Sequence, residues 1–205
     1  MPGFHKRALC LAVVFALAVA TGAGCGDDGD GASTEAATTV PDPNATLAFY
    51  DWEPSLLEPG PLSRAAAEKL AQQKPRAIVV ADTTPARGGG TQRFYVLVGA
   101  PAVTEADIVD PKASVDPIVD EATISFDFTE EGRESFEALT KAVAERGKTE
   151  PAHFAIVFDG EVISLPTLDP TRNPDGISAE NGAQISGGLT LAKANQVVAA
   201  LESGG

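Results

Sequence analysis

Between residues 122 and 147 the hydrophobic pattern changes period. Ile124, Phe126 and Phe128 alternate with Thr123, Ser125 and Asp127, which predicts a strand with one buried face. Thr129 then stands as a helix cap, Glu130 and Glu131 occupy the first turn where the N-terminal dipole favours carboxylates, and Phe136, Leu139 and Val143 recur at helical spacing. Gly147 after Arg146 predicts the stop. The next readable stretch, "AIVFDGEVISLP" at 155–166, has two apolar runs around Asp159-Gly160. That dipeptide predicts a hairpin with a type I′ turn, because both central residues need positive φ. Asp159 and Gly160 therefore have a structural role that accounts for them, and Pro166 closes the second arm.

Elsewhere the pattern predicts a strand over "TLAFYDWE" (46–53), stopped by Pro54 because proline lacks a ladder donor. Ser63 caps a helix over 63–73, and 77–82 and 93–99 read as strands. "RGGGTQ" at 87–92 is a glycine-rich loop; without Lys-Ser/Thr at the required spacing it is no phosphate cradle. "GAQISGGLTLAKANQVVAALESGG" predicts a short strand, a bend at Gly187 and Gly188, and a last helix capped by Thr190, with Leu191, Ala194, Val197, Val198 and Leu201 on its apolar face. Strands interleaved with helices and including an antiparallel hairpin predict an α+β domain. We expect a mixed or antiparallel sheet with helices packed mainly on one face, in a ferredoxin-like manner.

The first 24 residues change the count of folded chain. His5, Lys6 and Arg7 precede an apolar run from Ala8 to Ala20, the layout of a secretory signal and shorter than the roughly 20 apolar residues that span a bilayer. Gly22, Ala23 and Gly24 before Cys25 resemble a bacterial lipobox, with Gly22 where Leu is usual, so Cys25 is the expected lipidation site. Residues 25–45 after it are small, polar and acidic and read as a flexible tether; 46–205 form one domain of ordinary size. Cys10 would leave with the signal and Cys25 would be acylated, which leaves no thiol for a disulfide, a metal or a nucleophile. The formal charge is −14, and the signal removes two cations and no acid. Such a surface repels nucleic acid and anionic headgroups, so no nucleic-acid partner is expected.

Candidate chemistry is sparse. His153 lies in a predicted strand with no nucleophile motif to serve, and reads as a packed or surface residue. In "DPTRNPDGISAENG" (169–182), Asn173, Asp175 and Gly176 fit part of an EF-hand loop, but with Gly176 at position six the twelfth position is Gly182, where a bidentate Glu is needed. An ordered turn is the preferred reading; no metal, no cofactor and no enzymatic activity are expected.

Several ordered stretches together resemble a known family. "TEEGRESFEALT", "AIVFDGEVISLPTLD" and "GAQISGGLTLAKANQVVAALESG" are similar to the large extracytoplasmic head of SecD, the accessory subunit of the bacterial protein-export translocon. Matching positions include Gly132, Phe136, Thr140, Asp159, Gly160, Pro166, Gly187, Thr190 and Leu201, and "FYVLVGAPAVTEADIVD" resembles the family's segment before them, with Glu105 in place of Gly. In that family the terminal helix continues into transmembrane helices, whereas this sequence stops at Gly205, so a head without the proton-coupled motor is expected. The 169–182 link is longer than the family's. The resemblance implies an extracytoplasmic, lipid-anchored module at the cell membrane that binds translocated or non-native polypeptide, or docks on a Sec translocon component. An envelope scaffold or ligand-binding lipoprotein unrelated to export is the alternative, because a fold does not fix a function.

Overall fold

A computed structural model of the chain describes residues 46–82, 92–116, 121–150 and 152–203. The chain runs β1 (Leu47–Asp51), a single helical turn α1 (Trp52–Ser55), α2 (Arg64–Ala71), β2 (Ile78–Asp82), β3 (Arg93–Leu97), β4 (Val103–Thr104), a 3-10 turn at Glu105–Asp107, β5 (Ile108–Asp116), β6 (Glu121–Phe128), α3 (Glu130–Gly147), β7 (Phe154–Phe158), β8 (Glu161–Ser164), β9 (Ala183–Ile185) and α4 (Leu191–Ser203). The strands form two sheets, a six-stranded one ordered β3-β2-β8-β7-β1-β4 and a three-stranded one ordered β5-β6-β9. Only the β2–β8 pairing is parallel among the described strands. The class is thus α+β with mixed and antiparallel sheets, and the division into two sheets is what the pattern did not specify.

Register explains where the helices go. Ala81 pairs with Glu161, Glu161 with Phe158, and Phe158 with Leu47, so these residues share one face of the large sheet. On that face α2 covers β2 and β3 through Ala67, against Ala81, Phe94 and Val96. Beside it Leu47, Phe49, Phe154, Ile156 and Phe158 meet Phe136 and Val143 of α3, Ile124 and Phe126 of the small sheet, and Val197 of α4 in the main core. Phe49 sits in the middle of it, with ring centroids of Phe126, Phe136 and Phe154 at 6.2, 6.1 and 6.4 Å. All three longer helices therefore lie on one side of the six-stranded sheet.

Local signals hold with small shifts. Ser63 Oγ accepts from Ala66 N at 3.3 Å and Thr129 Oγ1 from Gly132 N at 3.0 Å, so both predicted caps are formed. The strand expected over 46–53 ends at Asp51, and Pro54 lies inside the one-turn helix, where its fixed φ suits a first turn. β5 has no counterpart in the pattern reading. Its sequence, "IVDPKASVD", carries Pro111, and Asp110 takes φ of 52° at a register slip between Val109 and Lys112. A bulged edge strand breaks the two-residue period on which detection depends.

Candidate functional site

Asp159 and Gly160 occupy the two turn positions between Phe158 and Glu161, with φ of 49° and 74°. The turn also ties in other strands: Asp159 N donates to Thr46 O at 2.9 Å and Ala81 N to Gly160 O at 2.7 Å. Pro166 is buried and its carbonyl accepts from Phe154 N at 3.3 Å. Gly187 and Gly188, with φ of 99° and 76°, form the bend between β9 and α4, and Thr190 Oγ1 accepts from Lys193 N at 3.2 Å. Cys25, the signal at 1–24 and the tether at 25–45 lie outside the described residues.

The start of α3 is built around a close approach. A Cβ on Gly132 would lie 2.6 Å from Asp107 O, so only glycine lets the helix seat on the 3-10 turn. Asp107 Oδ2 accepts from Thr104 N at 2.7 Å, and Asp107 O accepts from Thr129 N at 2.9 Å, which couples that turn to the helix cap. Glu105 Oε2 accepts from Leu47 N at 3.3 Å. The residue that departs from the family's glycine thus holds the first strand.

Near the end of α3 four charged or ionisable groups meet that no sequence spacing joins. Arg146 makes a bidentate pair with Asp51, Nη1 donating to Oδ2 at 2.9 Å and Nη2 to Oδ1, and its Nη2 lies 3.6 Å from Glu53 Oε2. His153 Nδ1 donates to Glu53 Oε1 at 2.6 Å, and His153 N to Glu53 Oε2 at 3.1 Å. His153 and Glu53 are 100 residues apart in sequence, so the histidine that looked solitary has a partner no pattern could indicate. The cluster contains carboxylates, an imidazole and a guanidinium but no hydroxyl or thiol nucleophile. Its evident work is to clamp β1 and α1 to α3 and to the start of β7.

The 169–182 loop is also anchored on α3. Thr140 Oγ1 accepts from Ile177 N at 3.0 Å while donating to Phe136 O at 2.9 Å, and Glu137 Oε1 accepts from Ala179 N at 3.0 Å. Asp169 Oδ1 accepts from Thr171 N at 2.8 Å, and that backbone donor draws the Asp169 carboxyl below the usual carboxylate range. Among the described residues no three His, Cys, Asp or Glu side chains converge as a metal site. No helix among them is long and apolar enough to cross a membrane.

Comparison with known proteins places this architecture. Residues 77–205, more than half of the chain, match the family described as SecDF, P1 head subdomain. The chain belongs to this family. The P1-head segment contains the Asp159-Gly160 turn, the Gly132 seat and the Gly187 bend. The protein translocase subunit SecDF of Brucella abortus biovar 1 (strain 9-941) is 32% identical over 110 residues, which are 54% of this chain and 13% of that protein. This chain thus spans a small part of the length of that relative. A crystal structure of SecDF in a super-membrane-facing form aligns over 78% of this chain and 19% of its own, at 22% identity and a TM-score of 0.46. A second SecDF structure, of a membrane component that enhances protein export, aligns over 78% of this chain and 63% of its own, at 22% identity and a TM-score of 0.45. β1 precedes the matched P1-head segment, yet it is inserted between β7 and β4.

Proposed function

We propose that this chain is a P1-head module of the cell envelope, lipid-anchored through Cys25 on the extracytoplasmic face of the membrane, that binds polypeptide in an extended, non-native form or docks on a Sec translocon component during protein export. The observation that carries the reading is the family match over 77–205, with its recurrent positions at turns and close approaches that build the domain. The relative at 32% identity is a protein translocase subunit, which supports a role in protein export. The four-group cluster at Asp51, Glu53, Arg146 and His153 is taken up in pairs with one another that join β1 and α1 to α3, which favours a structural role for it. The signal and the "GAGC" stretch supply the anchor.

Two measurements test this. Full-length protein expressed in a bacterial host should fractionate with membranes and resist a high-salt wash, and Cys25→Ser should release it; retention of the substituted protein on the membrane refutes the anchor. Purified full-length protein should bind a reduced, unfolded, fluorescent client more tightly than the same client folded. Capture of a translocon component without client binding selects docking, and absence of both leaves the envelope scaffold.

A further inference from the structure

The three-stranded sheet ends in β5, and no described strand pairs with its outer side. β5 carries exposed apolar side chains, Val109 at 39% and Val115 at 40%. Its two halves differ in kind. In the first, Asp110 at positive φ, Pro111 and the register slip before Lys112 twist the edge and remove a donor, the devices by which native edges refuse a neighbour. From Lys112 the strand is regular, pairing Lys112 with Ser125, Ala113 with Ile124, Ser114 with Thr123 and Val115 with Ala122. Ala113 and Val115 share the core side with Ile124 and Ala122, where α4 packs over β5 and β6, and Lys112 and Ser114 face the other way.

We infer that the outer edge of Lys112 to Val115 is where an extended polypeptide segment adds as a further strand, an inference that rests on the polypeptide-binding reading above. Edge addition takes its affinity from main-chain hydrogen bonds and tolerates many sequences. The length of the open edge chooses the occupant. Four residues span about 14 Å of strand. Pairing there buries a few hundred Å², well under the roughly 1,000 Å² of a stable protein interface. That is too little to hold a second copy of this chain, and enough for weak, reversible capture of an extended one. Side chains of the added strand would alternate between the apolar side of Ala113 and Val115 and the polar side of Lys112 and Ser114, so segments alternating apolar and polar residues are favoured.

The test uses the full-length chain, a reduced unfolded client and the variants Ala113→Pro and Ser114→Pro. Successive N–H groups of an antiparallel strand point alternately to its partner and away. One proline therefore removes only an outward donor, and the other disturbs the β5–β6 ladder and lowers the melting temperature. The variant that melts like wild type should bind client about tenfold or more weakly. A photo-crosslinker at Ser114 should capture client while one at Glu145, exposed on α3, does not; this arm decides the matter if both prolines destabilise. Wild-type binding with an unimpaired native-melting proline variant, or equal capture from Glu145, overturns the edge inference and leaves polypeptide binding standing. A crosslinked pair of this chain without client also overturns it. Failure of wild type to bind unfolded client refutes the polypeptide-binding reading and the inference together.

Discussion

The turn at 159–160 and the loop at 169–182 lie a few residues apart in the chain and both depend on glycines at positive φ, yet they need them for different reasons. At Gly160 the nearest atom to an added Cβ is Val79 O at 3.7 Å, so the site has space and glycine serves only the backbone conformation. At Gly176 an added Cβ would lie 2.6 Å from Lys141 N, and at Gly182 it would run into Phe126 O and the Asp127 side chain. There glycine serves conformation and close approach at once. Glycine therefore meets a local conformational need in the turn, whereas in the loop it also makes room for helix and strand residues distant in sequence.

The widest separation between the two regions should come from alanine at the glycines. Gly182→Ala is expected to destabilise by about 3 kcal/mol or more, because positive-φ strain adds to overlap with backbone that cannot move aside. Gly160→Ala is expected to cost only about 1 kcal/mol, the conformational part alone. Chemical denaturation of both variants checks the ratio. Equal losses would mean that the loop does not sit against β6 as closely as its contacts imply.

A second comparison removes the anchor and leaves the glycines in place. Thr140→Val keeps the shape of the side chain but takes the acceptor from Ile177 N and the donor from Phe136 O. A loss of about 1–2 kcal/mol is expected from the stranded amide. Faster hydrogen exchange should be confined to 176–179, with the 159–160 turn unchanged. Exchange that rises equally in the turn would deny the independence of the two regions.

The same contrast explains what could be read in the sequence. The β7–β8 hairpin, the switch from β6 to α3 and the caps at Ser63 and Thr129 are written in neighbouring residues, and periodicity exposes them. β5 escaped because Pro111 and the slip at Val109 erase its alternation. The cluster of Asp51, Glu53, Arg146 and His153 escaped because its members come from β1, α1, α3 and the segment before β7, which only the fold brings together. Glu105 was visible as a departure from the family's glycine, but its hydrogen bond to Leu47 N could not be foreseen, since β1 lies outside the matched segment. The loop at 169–182 offered fragments of a calcium pattern, and its actual supports, Thr140 and Glu137, sit on a helix already assigned to the core.

At the turn itself, Asp159→Asn should change stability by less than about 0.5 kcal/mol, because Asn adopts the same positive φ. Loss of client binding with unchanged melting would give Asp159 a functional role that its place in the turn does not require.

The smallest effect expected is acid sensitivity confined to the loop. Asp169 is exposed, and its carboxyl is drawn below the ordinary 3.8 first by the Thr171 backbone N–H, with Arg172 a lesser contributor. A carboxyl whose folded pKa is depressed contributes order that is complete above its unfolded value and is lost as pH falls through the folded one. The Asp169 to Thr171 contact should therefore be intact at neutral pH and fail only below about 3.8. The Thr171 amide resonance should titrate with a midpoint below that of an ordinary aspartate, and Asp169→Asn should abolish the titration while leaving the Gly160 amide unaffected. A midpoint at or above the ordinary value would show that the Thr171 amide does not favour the ionised carboxylate, and that the order of the loop comes from its contacts with α3 and β6.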